Sequence, residues 1–466
     1  MSPFDLTRAL QQARSEHAHF LDRLIEYLKI PSISADPSQS EAMQQCAQMS
    51  AELLSWAGLE QVEILPLYDA PPYVVGRWSG RPGAPTMLVY GHYDVQPATP
   101  LELWTTPPFE PDLRDERLFA RGATDDKGQA LMHLCAIRSI LRSGGELPFN
   151  LIVLLEGEEE IVSPNLERFI SQYGEKVRAD LWMLSDTAMW DVGRPAITTS
   201  LRGMALMEVH AQCAARDLHS GTFGGAVANP LEALSRLLAK MKDADGHVLI
   251  PGFYDEVDPV NEATRAQLAS VPLDPDHWYQ EIGIARGGEY GEQDFSLLER
   301  LWMRPTLEIN GLWGGHNGAG IKTVLPAKAQ AKLSMRLVPH QDPAQMIQRV
   351  SQFLTREAPD YLQLEINPLP GSGRGIRVAA DHPALRPLRM GLEEAFGDPP
   401  LLLGEGATIP VVARLSEAFD MPPLLVGFAL PDSRCHAPDE NMHMPTFYTG
   451  IEALIRAYNH FGEIQE

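Results

Sequence analysis

A chain of 466 residues exceeds what one hydrophobic core usually serves, so two domains are expected. A net charge of −24 disfavours nucleic acid and anionic membranes as partners, and 44% apolar with 21% charged residues is the composition of a globular chain in water. The four cysteines (Cys46, Cys135, Cys213, Cys435) form no CxxC pair, which excludes a zinc knuckle or a thioredoxin-like motif. No apolar run approaches about 20 residues, so no membrane span is expected. Met1 to Asp5 lacks a basic stretch leading into an apolar core. That predicts no signal peptide and a cytoplasmic protein with reduced thiols.

Leu10, Phe20, Leu24 and Leu28 share a helical face and predict a helix over 5–28. A second helix runs from about Ser40 and stops at Gly58, a C′ glycine. Strands are expected at 61–66 and 73–78. Three apolar runs then end in potential ligands. Thr86 to Gly91 leads into His92-Tyr93-Asp94, Leu151 to Leu155 into Glu156-Gly157-Glu158-Glu159-Glu160, and Asp180 to Ser185 into Asp186. A helix over Gly128 to Leu141 between the first two makes a βαβ unit with parallel strands. Another helix at 165–173 extends the pattern. Open α/β sheets place their sites at the carboxyl ends of strands. His92, Glu159/Glu160 and Asp186 are therefore expected along one sheet edge, joined by Asp125 from Arg121 to Gly128.

The text changes near Ala196. A strand at 204–211 and a helix at 228–241 precede an acidic stretch, 242–300, read as irregular. An alternating strand over Ala329 to Leu337, a helix over 342–355 and a strand at 362–367 follow. Gly371 to Gly375 reads as a linker, after which the first kind of text resumes and ends in a helix over 446–461. The expected architecture is α/β. A first domain of 1–197 plus 375–466 has a mostly parallel sheet flanked by helices, and a second, α+β domain of 198–374 is inserted in it.

Four glutamates within five positions repel one another, so a fold that gathers them needs a reason. A mixed histidine and carboxylate set suits Zn²⁺ or Mn²⁺ better than Mg²⁺. Two ions about 3.5–4 Å apart can polarise a shared water and a carbonyl, a carboxylate can bridge them, and a second carboxylate can take the proton. His92, Asp125, Glu159, Glu160, Asp186 and His436 supply the parts. The acidic pair can also be read one residue early, as Glu158/Glu159, and Asp126 reads as a helix N-terminal carboxylate. Glu156 and Glu158 read as solvated or structural, and His17, His19, His133 and His460 as unremarkable helix-face residues.

Taken together, Tyr90 to Pro97, Arg121 to Gly128, Glu156 to Ser163, Ser185-Asp186 and His436-Ala437-Pro438 resemble the M20 metallopeptidase family. So do Asp217 to Gly221 and Ser334 to Pro339 in the inserted domain, and the likeness is greatest to the dipeptidase branch with the carnosinase-like enzymes. The resemblance implies two divalent ions per subunit, zinc first and then manganese or cobalt. His92, Asp125 and Asp186 would hold one ion, and Asp125, Glu160 and His436 the other. It implies Glu159 as general base and acid, Asp94 as the partner that fixes His92, and a cis peptide between Asp125 and Asp126. It further implies a lid and dimerisation domain that gives His219 to the oxyanion of a partner subunit, and Arg336 on the substrate's terminal carboxylate. Gly406 and Thr408 lie in Gly404 to Pro410, which resembles a substrate-contacting loop. His210, His316, Arg202 and Arg304 compete with His219 and Arg336 for these roles.

One departure stands out. The family usually has glycine where this chain has Val162, a place where a glycine could serve a positive φ. The implied activity is hydrolysis of dipeptides or short peptides with a free C-terminal carboxylate by a homodimer. An N-acyl-amino-acid or carbamoyl amidohydrolase using the same residues is the competing reading, and a non-catalytic scaffold would require a broken ligand set.

Overall fold

The computed structural model describes residues 4–285 and 287–463. The chain divides into two compact units. The first takes residues up to Thr199, then Val378–Leu403 and the chain from Arg414 on; the second takes Ser200–Arg377 and Gly404–Ala413. The sequence reading put 375–466 wholly with the first part, and Gly404–Ala413 corrects it. The physical reason is a set of hydrogen bonds. The Thr408 hydroxyl donates to the Arg202 carbonyl at 2.6 Å and accepts from Arg336 Nη1 at 2.8 Å, while Arg202 Nε donates to the Gly406 carbonyl at 3.1 Å.

In the first unit the main sheet runs Glu63–Leu67, Ala70–Trp78, Asn150–Glu156, Thr86–His92, Leu181–Leu184, Pro423–Leu425, Ala196–Leu201. It is parallel at its centre, where Thr86–His92 lies between Asn150–Glu156 and Leu181–Leu184, and antiparallel at both flanks. The two central strands are buried on both faces, which is why they read as unbroken apolar runs rather than alternating ones. Helix Lys127–Arg142 packs on Thr86–His92 and is itself covered by helices Leu6–Ser15, Ser40–Ala57 and Met444–Glu463. Leu131, Met132 and Ile137 on it are fully buried, each contributing about 1.5–3 kcal/mol.

The single helix expected over 5–28 is two, Leu6–Ser15 and His17–Leu28, broken at Glu16, whose φ −104° and ψ 7° leave the helical region. The Asp5 carboxylate caps the first by accepting from Arg8 N at 3.1 Å.

The second unit carries a four-stranded antiparallel sheet, ordered Thr306–Gly314, Lys328–Leu337, Gly203–Gln212, Gln363–Pro368. Alternate residues of Lys328–Leu337 are buried against helices Pro230–Ala239 and Pro343–Glu357. The stretch 242–300, expected to be irregular, contains helices Glu262–Ala269, Pro275–Glu281 and Leu297–Trp302. They are 8, 7 and 6 residues long, about two turns or fewer, so periodicity misses them. Their caps were legible, above all the reciprocal bonds of Ser296 and Glu299. Among the described residues no helix is long and apolar enough to cross a membrane.

Candidate metal centre

The carboxyl ends of three neighbouring parallel strands deliver the candidate ligands. His92 is the last residue of its strand and lies opposite Glu156. Glu159 and Glu160 follow in a short 3-10 turn, and Asp186 comes two residues after Leu184. Asp125 precedes helix Lys127–Arg142, and the peptide joining it to Asp126 is cis. Gly91 is required here: a Cβ on it would lie 2.9 Å from Ala130 Cβ and from Asp126 Oδ2.

Asp125 stands between two imidazoles. Its Oδ1 is 3.2 Å from His92 Nε2, and its Oδ2 is 2.8 Å from His436 Nε2. Asp186 Oδ2 lies 3.9 Å from His92 Nε2, and Glu160 Oε2 lies 3.2 Å from His436 Nε2. Ligand atoms of His92, Glu159 and Asp186 all fall within 4.8 Å of one another, as do those of His92, Asp125 and Glu160.

Asp94, wholly buried, ties the parts together. Its carboxylate accepts from the backbone N–H of Glu159 at 3.2 Å and of Glu160 at 3.1 Å, and Oδ1 lies 3.3 Å from His92 Nδ1. That side of the ring also meets the Asp94 carbonyl at 3.1 Å. With Nδ1 engaged, Nε2 is the ring atom turned to the cluster, and it is buried without a hydrogen-bond partner. A buried imidazole nitrogen facing carboxylate oxygens is a donor set that fits a divalent cation.

The electrostatics agree. Burial alone would disfavour a charged His92, yet the Asp125 and Asp94 carboxylates facing its two nitrogens outweigh it and hold its pKa well above the usual histidine range. Hydrogen bonds to Asp125 and Glu160 push His436 up to about 10. Burial and the neighbouring carboxylates raise Glu159 and Asp186. Burial opposes ionisation of Asp125 too, but the two imidazoles beside it win and lower it. So much negative charge in one place calls for positive charge.

The other acidic residues have separate tasks. Neither Glu156 nor Glu158 is solvated. Glu156 is fully buried, accepts from the Tyr90 hydroxyl at 2.8 Å and is pushed up to about 7 by burial. Glu158 accepts from Asn165 Nδ2 at 2.9 and 3.0 Å. Asp126 Oδ2 accepts from the His92 N–H at 3.2 Å. His133 is not a plain helix-face residue either. It is wholly buried, 2.8 Å from both the Tyr458 hydroxyl and the Ser185 hydroxyl, and burial lowers it to about 3. Val162 takes φ 71° and ψ 31°, the left-handed conformation that a glycine would adopt freely.

Sequence reasoning gave Glu440 no role. It is fully buried and accepts from Arg121 Nη1 at 2.7 Å and from the N–H groups of Gly122, Thr124 and Asp125, each at 3.0 Å. This one carboxylate clamps the segment that presents Asp125. The available signal was Arg121, an arginine in the same segment as the candidate ligand Asp125, which once buried needs a partner.

In the second unit, His219 is exposed and its Nδ1 accepts from the Gly221 N–H at 3.1 Å, which leaves the proton of a neutral ring on Nε2. Arg336 is half-buried and held by Thr408. Of the competitors, Arg304 is forked onto Glu292 at 2.7 Å twice, His210 pairs with Glu208 at 3.0 Å, and His316 Nε2 lies 3.5 Å from the Ala319 carbonyl.

The pattern of "Peptidase family M20/M25/M40" matches residues 88–460. The Cys-Gly metallodipeptidase DUG1 of Candida albicans is 30% identical over 466 residues, covering 95% of each chain. The Beta-Ala-His dipeptidase of Rattus norvegicus is 31% identical over 352 residues, 73% of this chain and 70% of that one. Among solved structures, the M20 family metallo-carboxypeptidase Sso-CP2 from Sulfolobus solfataricus superposes with a TM-score of 0.83 at 29% identity, over 95% of this chain and 99% of that one. A family match over most of the chain, with one 30% identical relative aligned nearly end to end, leads to one conclusion: the chain belongs to peptidase family M20/M25/M40, in its dipeptidase branch.

Proposed function

We propose that the protein is a dinuclear metal-dependent dipeptidase acting on dipeptides or short peptides with a free C-terminal carboxylate. The observation that carries this reading is Asp125, whose two oxygens face two different imidazoles, His92 at 3.2 Å and His436 at 2.8 Å. That is the disposition a bridging carboxylate needs. In this reading His92, Asp125 and Asp186 hold one ion, and Asp125, Glu160 and His436 the other, with zinc first and manganese or cobalt as alternatives. Bound there, the ions would polarise the attacking water and the scissile carbonyl.

The chain's own groups do the rest. Glu159 takes the proton from the water and returns it to the leaving amine. Asp94 keeps the His92 proton on Nδ1 and, through the Glu159 and Glu160 N–H groups, fixes the loop that carries the base. Arg336, steadied by Thr408, grips the substrate carboxylate in a charge-assisted fork beside Gly406. His219 donates its Nε2–H to the developing oxyanion. A homodimer in which the second copy supplies His219 is supported by edge strand Thr306–Gly314, where Ile309 and Leu312 are 48% and 42% exposed.

The test is chelator-treated protein supplied singly with Zn²⁺, Mn²⁺ or Co²⁺, assayed on dipeptides and on N-acetyl amino acids, with bound metal counted per chain. Metal-restored dipeptide cleavage with two ions per chain is expected. Cleavage of the acetylated substrates alone would replace this reading with an amidohydrolase.

A further inference from the structure

The second unit holds a cavity of about 260 Å³ on the Arg336 side of its sheet. Register fixes that position. Thr306 lies directly opposite Arg336, and opposite residues of antiparallel strands point to one face. Thr306 lines the cavity, so cavity and Arg336 share the face turned away from helices Pro230–Ala239 and Pro343–Glu357. A hydrogen-bonded path also joins them. Arg202 is part of the cavity wall, its carbonyl accepts from Thr408, and Thr408 accepts from Arg336.

The wall is largely apolar and aromatic, with Trp278, Ile284, Tyr290, Leu297 and Leu301. Its volume exceeds the roughly 150 Å³ in which an apolar cavity holds benzene. Its charge is one-sided. Arg304 is matched by Glu292 and Lys242 by Glu308, at 2.7 and 3.1 Å. Among the described residues, Arg202 and Arg300 are left with carbonyls: those of Gly406 and Arg304 for the first, that of Tyr290 for the second. Arg300 Nε is buried with no partner. In a chain of net charge −24 this is a locally positive apolar hollow.

We propose that the cavity receives the side chain of the substrate residue bearing the free carboxylate, selecting large apolar or aromatic side chains and rejecting basic ones. This rests on Arg336 as the carboxylate anchor. Substrates ending in phenylalanine, tryptophan or leucine fill the hollow, glycine leaves it empty, and lysine brings a like charge to Arg202 and Arg300.

The experiment measures kcat/KM of the metal-loaded enzyme on Ala-Gly, Ala-Leu, Ala-Phe, Ala-Trp and Ala-Lys. Ala-Phe is expected to exceed Ala-Gly by at least ~10-fold, with Ala-Lys lowest. Leu301→Trp, which fills the hollow, should bring Ala-Phe down to the Ala-Gly level and leave Ala-Gly unchanged. Ile284→Trp is the second variant should the first not fold. Calorimetric binding of L-phenylalanine and glycine, with and without Leu301→Trp, reads the same selectivity without turnover. Equal constants for Ala-Gly and Ala-Phe, or a variant that lowers both alike, would overturn the proposal. If no dipeptide is cleaved while L-phenylalanine still outbinds glycine in a manner Leu301→Trp abolishes, the peptidase reading falls and the cavity's selectivity stands.

Discussion

In the first unit, Asp125, Glu159, Glu160 and Asp186 crowd round His92 and His436, and the one buried imidazole nitrogen aimed at them lacks a partner. In the second, Arg336 and Arg202 lie near enough to repel, and burial holds both below the ordinary arginine range, Arg202 at about 10. One region concentrates negative charge and the other brings two arginines together, each at a cost in desolvation. An imbalance that a fold maintains names its ligand by sign: cations for the first region, a carboxylate for the second. The proposed substrate, a peptide with a free C-terminus cleaved with the help of metal ions, would answer both.

The largest effect is expected at the base. Glu159→Gln should cut kcat by roughly 10²–10⁴-fold with two metals still bound; elemental analysis beside kinetics checks this, and near-normal turnover would remove Glu159 from the mechanism. Glu440→Ala tests whether the acidic cluster depends on its clamp. It leaves Arg121 buried and unpaired, so a loss of about 3–5 kcal/mol in denaturant melts is expected, together with weaker metal binding because Asp125 loses its support.

Arg336→Ala probes the positive side. Removing a charged hydrogen-bonding partner should cost about 1.5–3 kcal/mol, a roughly 10- to 150-fold rise in KM with kcat far less affected. Dipeptide amides, which lack the carboxylate, should show no such change. Acid separates a neutral buried group from the charged ones. Burial puts His133 at about 3, against an ordinary value of about 6.5 when unfolded. The unfolded chain then binds a proton that the folded one refuses. Stability from this residue is complete above about pH 6.5 and declines toward pH 3, by about 2 kcal/mol at pH 5. His133→Gln should flatten that part of the urea-melt profile. The smallest effect is at Val162→Gly, which relieves a β-branched residue at φ 71° and should raise stability by about 1 kcal/mol with activity retained.

These two regions were unequally legible. The strands ending at His92, Glu156 and Leu184 could be read because buried parallel strands are continuous apolar runs, and the ligand-type residues stand immediately after them. What escaped depends on contacts between distant parts of the chain. Glu440 looks like any surface acid until Arg121, 319 positions earlier, is seen to meet it. Thr408 looks like first-domain text until its bonds to Arg202 and Arg336 draw the Gly404–Ala413 segment into the second unit. His133 sits on an apolar helix face, and nothing local announces that Ser185 and Tyr458 flank it. The positive φ at Val162 was raised only by way of the glycine that the family usually has there; the valine itself gives no such signal.

The Glu440 clamp also has a meaning in time. A ribosome making this chain releases His92, Asp125, Glu159, Glu160 and Asp186 early, but the imidazole opposite Asp125 and the residue that braces it come only at positions 436 and 440. Until then the nascent chain carries a cluster of acids with no brace and one histidine too few. In the proposed function, the centre therefore cannot be complete until residues 436–440 have been made.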